Sequence, residues 1–444
     1  MKIVIHRGTH QIGGCATEFA IDDERILIDC GANLPGTDEK SVISDEALCE
    51  KLFESNSDKI KAVLYTHYHG DHCGLRNKVP LDTRQFIGKI AKNIMYIVAT
   101  YIDRDNLNRI RDIRIYRSNL PVRIDSDKFE IIPFYTDHSA LDAYMFLIKA
   151  EGKTILFTGD FREHGIVGEN DRFRRVVKKY VPQNIDLLIT EGTMISRQDE
   201  VKVNKIRTEE ELGKRAAEIF VEHKYNYVLV SSTNLDSIME FYHNTPANKK
   251  FVCDYYQAKL IATAMSGMNK RGNYPLYQGS KNHPEIYILD YTEDRADTLS
   301  KLMQGMKIPV KWLAANEFDW KDEEFVMLVR KNSYPENGPN CFERIRDSLP
   351  KEDSYIVYSM WIGYLSEDKE DKAIRAFIDG YSWESLHTSG HAYVETIADL
   401  IKLVNPKKII PMHSENPEEF CNIPILEKYR ERIQIMEDGV ELDI

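Results

Sequence analysis

Five apolar runs in this sequence break off at a side chain that can hold a metal ion. AVLYT leads into His67, EIIPFYTD into His138, TILFTG into Asp160, DLLIT into Glu191 and, far along the chain, KKIIPM into His413. Short runs rich in β-branched and apolar residues read as buried strands. In layered α/β folds the loops just past strand ends converge on one rim of a sheet, where sites are built. The stretch THYHGDHCG, Thr66 to Gly74, adds three histidines and an aspartate within six residues. A single histidine after a strand is usually an ordinary loop residue. Five such strand ends around one dense loop, in a chain of only 13 histidines, point to a metal centre.

Composition sets the context. A length of 444 residues suggests two or three domains with ample chain to bury a core. Hydrophobic residues make up 42% and charged residues 29%, the profile of a soluble globular protein. No apolar run approaches the length of a membrane span, and MKIVIHRGTHQIGG reads as a strand and a Gly-rich turn rather than a secretory signal. The seven cysteines are scattered and form no CxxC pair, so a reducing cytoplasm is the expected setting. A formal net charge of −12 does not advertise a nucleic-acid binder. Locally the balance reverses. Lys89 to Arg123 carries eight Lys or Arg against three Asp, and DRFRRVVKKY, Asp171 to Tyr180, is also basic. Each is either a solvated helix face or a phosphate-holding patch.

The rhythm changes between about residue 200 and residue 385. TEEELGKRAAEIFVEH has the leading Thr and apolar spacing of a capped amphipathic helix. YVLVSST follows as a buried strand and LDSIMEFYHN as a helix. KFVCDY, KIPVKWLA, EFVMLVR and SYIVYSM then alternate with other segments, as parallel strands joined by helices do. A further helix is predicted from near Ala392 to before Pro406. If His413 joins the ligands near His67, this middle segment is an insertion. The expected organisation is residues 1–200 as the first part of one domain, 201–384 as the inserted α/β domain and 385–444 as the completing part.

Neutral imidazoles and carboxylates suit zinc or manganese, and the absence of ligating cysteines argues against a structural zinc site. Seven candidate ligands exceed the needs of one tetrahedral ion and match two. A carboxylate such as Asp160 can bridge two ions at roughly 3.5–4 Å, with a nucleophilic hydroxide held between them. Hydrolysis is the natural reaction class.

At these residues the sequence resembles the metallo-β-lactamase fold family. THYHGDH reproduces its HxHxDH signature, LIDCG resembles the earlier strand ending in a supporting aspartate, here Asp29, and His138 in YTDHS and Asp160 in FTGDF match the next two ligand positions. The resemblance implies an αββα sandwich with one metal on His67, His69 and His138. The other would sit on Asp71, His72 and His413, with Asp160 bridging. DLLITEGT, TSGHA and IIPMHSE resemble the three marker motifs of the β-CASP branch, whose members cut nucleic acids, and of the RNase J-like group in particular. SSTNLDSIMEFYH and FVCDYYQAKL are similar to the inserted domain of that branch.

The resemblance implies two divalent ions, zinc with manganese as the second choice, and an RNA substrate. His391 in TSGHA would contact the scissile phosphate, with Glu191 orienting it and raising its pKa. Read without the resemblance, His391 is equally a capping residue at a helix start. Ser232 and Thr233, where YVLVSS enters a helix, are candidate substrate contacts through backbone amides, and an ordinary N-cap explains them equally well. His6, His10, His164 and His387 match no ligand position, and His223 and His243 fall on predicted helices. In the family a further C-terminal domain commonly aids self-association. The sequence here ends about thirty residues past His413, so a homo-oligomer stays an open expectation.

Three functions compete. The leading one is a two-metal phosphodiesterase acting on single-stranded RNA. The second is a hydrolase of a small ester, thioester or phosphodiester at the same centre. The third is a binding protein with a degenerate site, against which the full ligand set argues.

Overall fold

The computed structural model describes residues 1–37, 42–54, 60–168, 171–271, 274–281, 285–290, 304–314, 319–331, 341–366 and 370–444. It divides into two compact units, one formed by Met1–Lys205 with Gly390–Ile444 and the other by Ile206–Ser389.

The first unit holds two sheets. Strands β1 (Lys2–Arg7), β2 (Ala16–Ile21) and β3 (Glu24–Ile28) form an antiparallel meander. β4 (Ile60–Leu64), β5 (Arg84–Ile87) and β6 (Arg114–Ile115) extend it in parallel. In the second sheet β7 (Glu130–Thr136), β8 (Ala143–Ala150) and β9 (Lys153–Phe157) are antiparallel, and β10 (Leu187–Glu191) and β11 (Lys408–Met412) continue in parallel. β12 (Glu441–Asp443) closes the far edge of the first sheet against β1.

Because strand side chains alternate in direction, every second residue of each sheet enters one shared core. Ile3, Ile5, Ile26, Ile28, Ala62 and Leu64 come from one sheet, and Phe146, Ile148, Ile155, Phe157, Leu187 and Ile189 from the other. Each fully buried Ile or Phe there contributes about 1.5–3 kcal/mol. The opposite face of the second sheet, through Leu147, Leu156, Leu188 and Ile409, meets two helices, Arg172–Tyr180 and Val394–Val404. Phe173 and Val177 of the first, and Ile397, Leu400, Ile401 and Val404 of the second, sit at helical spacing and seal that layer. The result is the expected α/β sandwich.

Strand direction matters most for the site. β7, β9, β10 and β11 all run the same way, since β7 and β9 are each antiparallel to β8. Their carboxyl ends therefore share one rim, which carries Glu191 as the last residue of β10 and His138, Asp160 and His413 just past the other three strands.

A buried polar network crosses β1, β2 and β3. Arg25 grips both carboxylate oxygens of Glu18 at 2.9 and 2.6 Å, and His6 Nε2 lies 3.0 Å from the same group. Burial alone would push the Glu18 carboxyl up, yet His6 and Arg25 bring it from 4.5 to about 2. A carboxylate depressed in the folded state stabilises above its unfolded pKa and loses that stabilisation as pH falls through the folded one. Glu18→Gln is therefore expected to cost about 3 kcal/mol at pH 7 in urea denaturation. The deficit should close as pH drops from 4.5 towards 2. A deficit independent of pH would contradict this account.

The second unit is built on a parallel sheet. Its order is Val310–Ala314, Ile286–Asp290, Lys250–Asp254, Phe325–Val329, Tyr225–Val230, Ser354–Ser359 and Ser382–Ser385. Helix Glu209–Glu222 starts at a capping box: Thr208 Oγ1 accepts from the Glu211 amide, and the Glu211 carboxylate accepts from the Thr208 amide. His243 lies on helix Leu235–His243, but His223 lies one residue past its predicted helix in extended conformation, stacked on Tyr355. Ser232 and Thr233 form a tight turn after strand Tyr225–Val230, closed by the Asn234 amide donating to the Ser231 carbonyl. Asn234, rather than either hydroxyl residue, occupies the helix cap.

Candidate metal centre

The HxHxDH loop leaves β4 and winds into a single helical turn, Gly70–Cys73. Main-chain bonds bind it to two other loops of the first unit. The Asp71, His72 and Gly70 carbonyls accept from the Cys15, Cys30 and Ala32 amides at 2.9, 2.8 and 3.0 Å. This explains the glycine of LIDCG. A Cβ on Gly31 would stand 1.7 Å from the Asp71 carbonyl oxygen, so only glycine lets the two loops close.

Asp29 sits at the end of β3 with a φ of +62°, a conformation disfavoured for a residue with a side chain. Its Oδ1 accepts from the Thr66 amide at 2.7 Å, and Oδ2 accepts from Thr66 Oγ1 and His72 Nδ1, both at 2.8 Å. The carboxylate thus fixes the start of the loop and turns His72 Nε2 towards the site, the usual task of a carboxylate behind a ligating histidine.

The ligand atoms converge on Asp160. Its Oδ2 lies 3.1 Å from His72 Nε2, 3.7 Å from His413 Nε2, and 3.9 Å from both His67 Nε2 and His138 Nε2. His69 Nδ1 is 3.3 Å from His138 Nε2, and Asp71 Oδ2 is 3.3 Å from His413 Nε2. All seven residues named from the sequence are brought together. His67, His69 and His138 form one close group of donors, and His67, His72 and Asp160 another.

These residues fit divalent cations on two observations. His67 Nε2 and Asp160 Oδ1 are buried and make no hydrogen bond within the protein, an expensive arrangement unless a cation satisfies them. The imidazoles are also in the form that binds metal. Burial drives His67 and His138 well below the ordinary histidine range and His69 down to about 4, so all three are neutral at pH 7. His72 is the exception. Burial opposes its charge, but Asp160 and the neighbouring acidic groups raise it, a role that a cation takes over from the proton.

Outer contacts fix the remaining rings. His138 Nδ1 donates to the Gly390 carbonyl at 2.5 Å, and Thr193 Oγ1 lies 2.7 Å from His413 Nδ1. His391 is 22% exposed at the edge of the cluster, its Nδ1 3.2 Å from Glu191 Oε2 and 3.6 Å from Asp160 Oδ2. Glu191 is held in turn by the Phe161 and Ala392 amides, each donating to Oε1 at 3.1 Å. Burial works against a charged His391, but Glu191 and Asp160 outweigh it and raise its pKa. It does not cap the following helix, whose cap is Tyr393.

Some features escaped sequence reasoning. Asp137 and Arg162 form a buried pair that ties the His138 loop to the Asp160 loop, with the Gly165 amide donating to Asp137 Oδ2 at 2.7 Å. Charged residues one and two positions from a ligand, in YTDHS and GDFRE, were the available signal. The basic patch expected at DRFRRVVKKY is partly absorbed by the fold. Arg174 pairs with Asp399 at 2.5 Å and Glu163 at 3.2 Å. In the other basic stretch Arg104, Arg111, Arg114, Arg117 and Arg123 are exposed.

Fold and donor set together define a metal-dependent hydrolase. Residues 16–203 match the metallo-beta-lactamase superfamily, and residues 382–418 match the Zn-dependent metallo-hydrolase RNA specificity domain. Ribonuclease J of Mycoplasma genitalium is 22% identical over 93% of this chain and 68% of its own length. Ribonuclease J of Helicobacter pylori strain J99 is 20% identical over 100% of this chain, which spans 60% of that relative. Cleavage and polyadenylation specificity factor 73 of Drosophila melanogaster is 25% identical over 44% of this chain and 29% of its own length. A crystal structure of a protein of unknown function from Enterococcus faecalis V583 shares the fold with a TM-score of 0.73 at 19% identity, over 99% of both chains. The chain thus carries a metallo-β-lactamase superfamily domain and a Zn-dependent metallo-hydrolase RNA specificity domain, and it is similar to Ribonuclease J over 93–100% of its length. Divalent metal use follows from those two matches and from the histidine-rich donor groups.

Proposed function

We propose that this chain is a metal-dependent ribonuclease that hydrolyses phosphodiesters of single-stranded RNA. The convergence of six donor side chains around Asp160, with a carboxylate-paired histidine at their edge, carries the reading. The RNA specificity match and the Ribonuclease J relatives support RNA as the substrate and do not favour a small ester or thioester.

The proposed ligands are His67, His69 and His138 for one ion and Asp71, His72 and His413 for the other, with Asp160 between them and zinc as the metal. Divalent cations held there supply Lewis acidity towards a phosphate oxygen and make water a ready nucleophile near neutral pH. The protein's own part is positional and protonic. Asp29 and Thr193 keep His72 and His413 in one tautomer and orientation, so their Nε2 atoms face Asp160. Glu191 accepts from His391 Nδ1 and stabilises the charged ring, which can donate to a phosphate oxygen or protonate the leaving oxygen. Ser232 and Thr233 in the second unit are proposed substrate contacts.

No helix among the described residues is long and apolar enough to cross a membrane, and no disulfide links the cysteines among the described residues. Thiols of this kind suit a reducing compartment, and we assign the enzyme to the cytoplasm.

The test uses an end-labelled single-stranded RNA and a DNA of the same sequence, each incubated with metal-loaded protein and resolved by length. Shortened RNA is the expected result, and its ladder separates stepwise trimming from internal cuts. Protein that retains metal yet leaves both strands intact would overturn the reading.

A further inference from the structure

We propose that Cys15 is a sulfur ligand of the second metal subsite, beside Asp71, His72 and His413, and tunes that subsite towards zinc over manganese. The proposal rests on the metal-centre reading above and deepens it.

Cys15 stands immediately ahead of β2 and is wholly buried. Its Sγ, a ring nitrogen of His72 and a ring nitrogen of His413 all lie within 4.8 Å of one another. The residue is clamped on both sides of its own peptide. Its amide donates to the Asp71 carbonyl and its carbonyl accepts from the Gly31 amide, both at 2.9 Å, so the sulfur keeps a fixed place against the ligand loop. His72 spends Nδ1 on Asp29, and its buried Nε2 faces Asp160 Oδ2 at 3.1 Å. His413 Nδ1 is likewise engaged by Thr193. The thiol thus lies in one close group of donors with the two imidazoles.

Burial alone is no argument, because a free cysteine is among the residues most often buried as a small hydrophobe. Cys30 and Cys73 supply the contrast. Both are buried close to the same loop, yet among the described residues Cys15 is the cysteine that shares a donor group with histidines. Gly8 leaves the sulfur its room, since a methyl group there would stand 3.3 Å from Sγ.

The chemistry sets the selectivity. Thiolate is a soft donor that suits zinc, whereas manganese favours carboxylate, carbonyl and water oxygens. As the sulfur–metal bond forms, the thiol proton passes to solvent water, so the bound subsite gains one negative charge.

The experiment reads coordination rather than catalysis. Protein stripped with a chelator is reloaded with cobalt(II), whose visible bands report bound ion and whose near-ultraviolet thiolate-to-cobalt band reports sulfur. Wild-type protein is expected to show both. Cys15→Ser should keep the visible bands and lose the near-ultraviolet band, while Cys73→Ser keeps both. In zinc–manganese competition, Cys15→Ser should lose preference for zinc by roughly tenfold or more. Visible bands without the near-ultraviolet band in the wild type would overturn the role of Cys15 and leave the metal centre standing. Survival of that band in Cys15→Ser would do the same. Absence of any cobalt spectrum would overturn both readings, and the wild-type spectrum decides even if a variant fails to fold.

Discussion

Asp160→Ala is expected to abolish measurable RNA cleavage, a fall of about 10³-fold or more, and to release both metal ions on dialysis. The basis is the single oxygen that lies between 3.1 and 3.9 Å from four imidazole nitrogens. Without the carboxylate, six buried or half-buried donors lose the negative charge around which they are arranged. Charge stabilisation by such a centre is worth several kcal/mol of barrier, and each 1.4 kcal/mol is tenfold in rate. Metal analysis by mass spectrometry beside the cleavage assay makes the check. Full metal content with undiminished cleavage would remove Asp160 from its central place.

His391→Ala separates turnover from metal binding. A fall of about 10²–10⁴-fold is expected, the range of a lost general acid, with metal content unchanged. The pH profile adds a readout that a merely structural role would not move. Since Glu191 and Asp160 raise the pKa of His391, its charged form persists to higher pH than in an ordinary histidine. Cleavage that needs that form should decline on the alkaline side, and Glu191→Gln should bring the decline to lower pH. Residual cleavage by His391→Ala should lack it. An identical alkaline limb in all three proteins would exclude His391 as the titrating group.

Most of the centre was legible in the sequence because strand geometry leaves a plain trace. A buried run of β-branched residues that stops at His, Asp or Glu places that side chain at a rim, and four such stops share one rim here, with His67 meeting them from the other sheet. Asp29 was legible for the same reason, at the end of RILID. Contacts between distant segments left no such trace. Thr193 reaches His413 across 220 positions, and Arg162 reaches Asp137 across 25, with nothing local to mark the pairing. The run bearing Arg174 was open to two readings, solvated face or phosphate patch, because charge runs show cations but not the carboxylates folded against them. Cys15 was hidden differently. One cysteine before a strand looks like packing, and only the return of the loop bearing His72 and of β11 shows its neighbours. The order of strands in each sheet was unreadable too, since pairing depends on which runs meet and not on their composition.

The first unit is assembled from two stretches of chain, and that has a consequence for a nuclease during its own synthesis. Six of the seven donors lie before residue 161, whereas His413 emerges after the whole of the second unit has been made. At about 5–20 residues per second the growing chain spends roughly ten to fifty seconds between Asp160 and His413. For most of that interval the ribosome-bound fragment lacks β11, which borders β10 in the finished sheet, and lacks His391 as well. A nascent fragment that has not reached His413 therefore lacks a complete donor set.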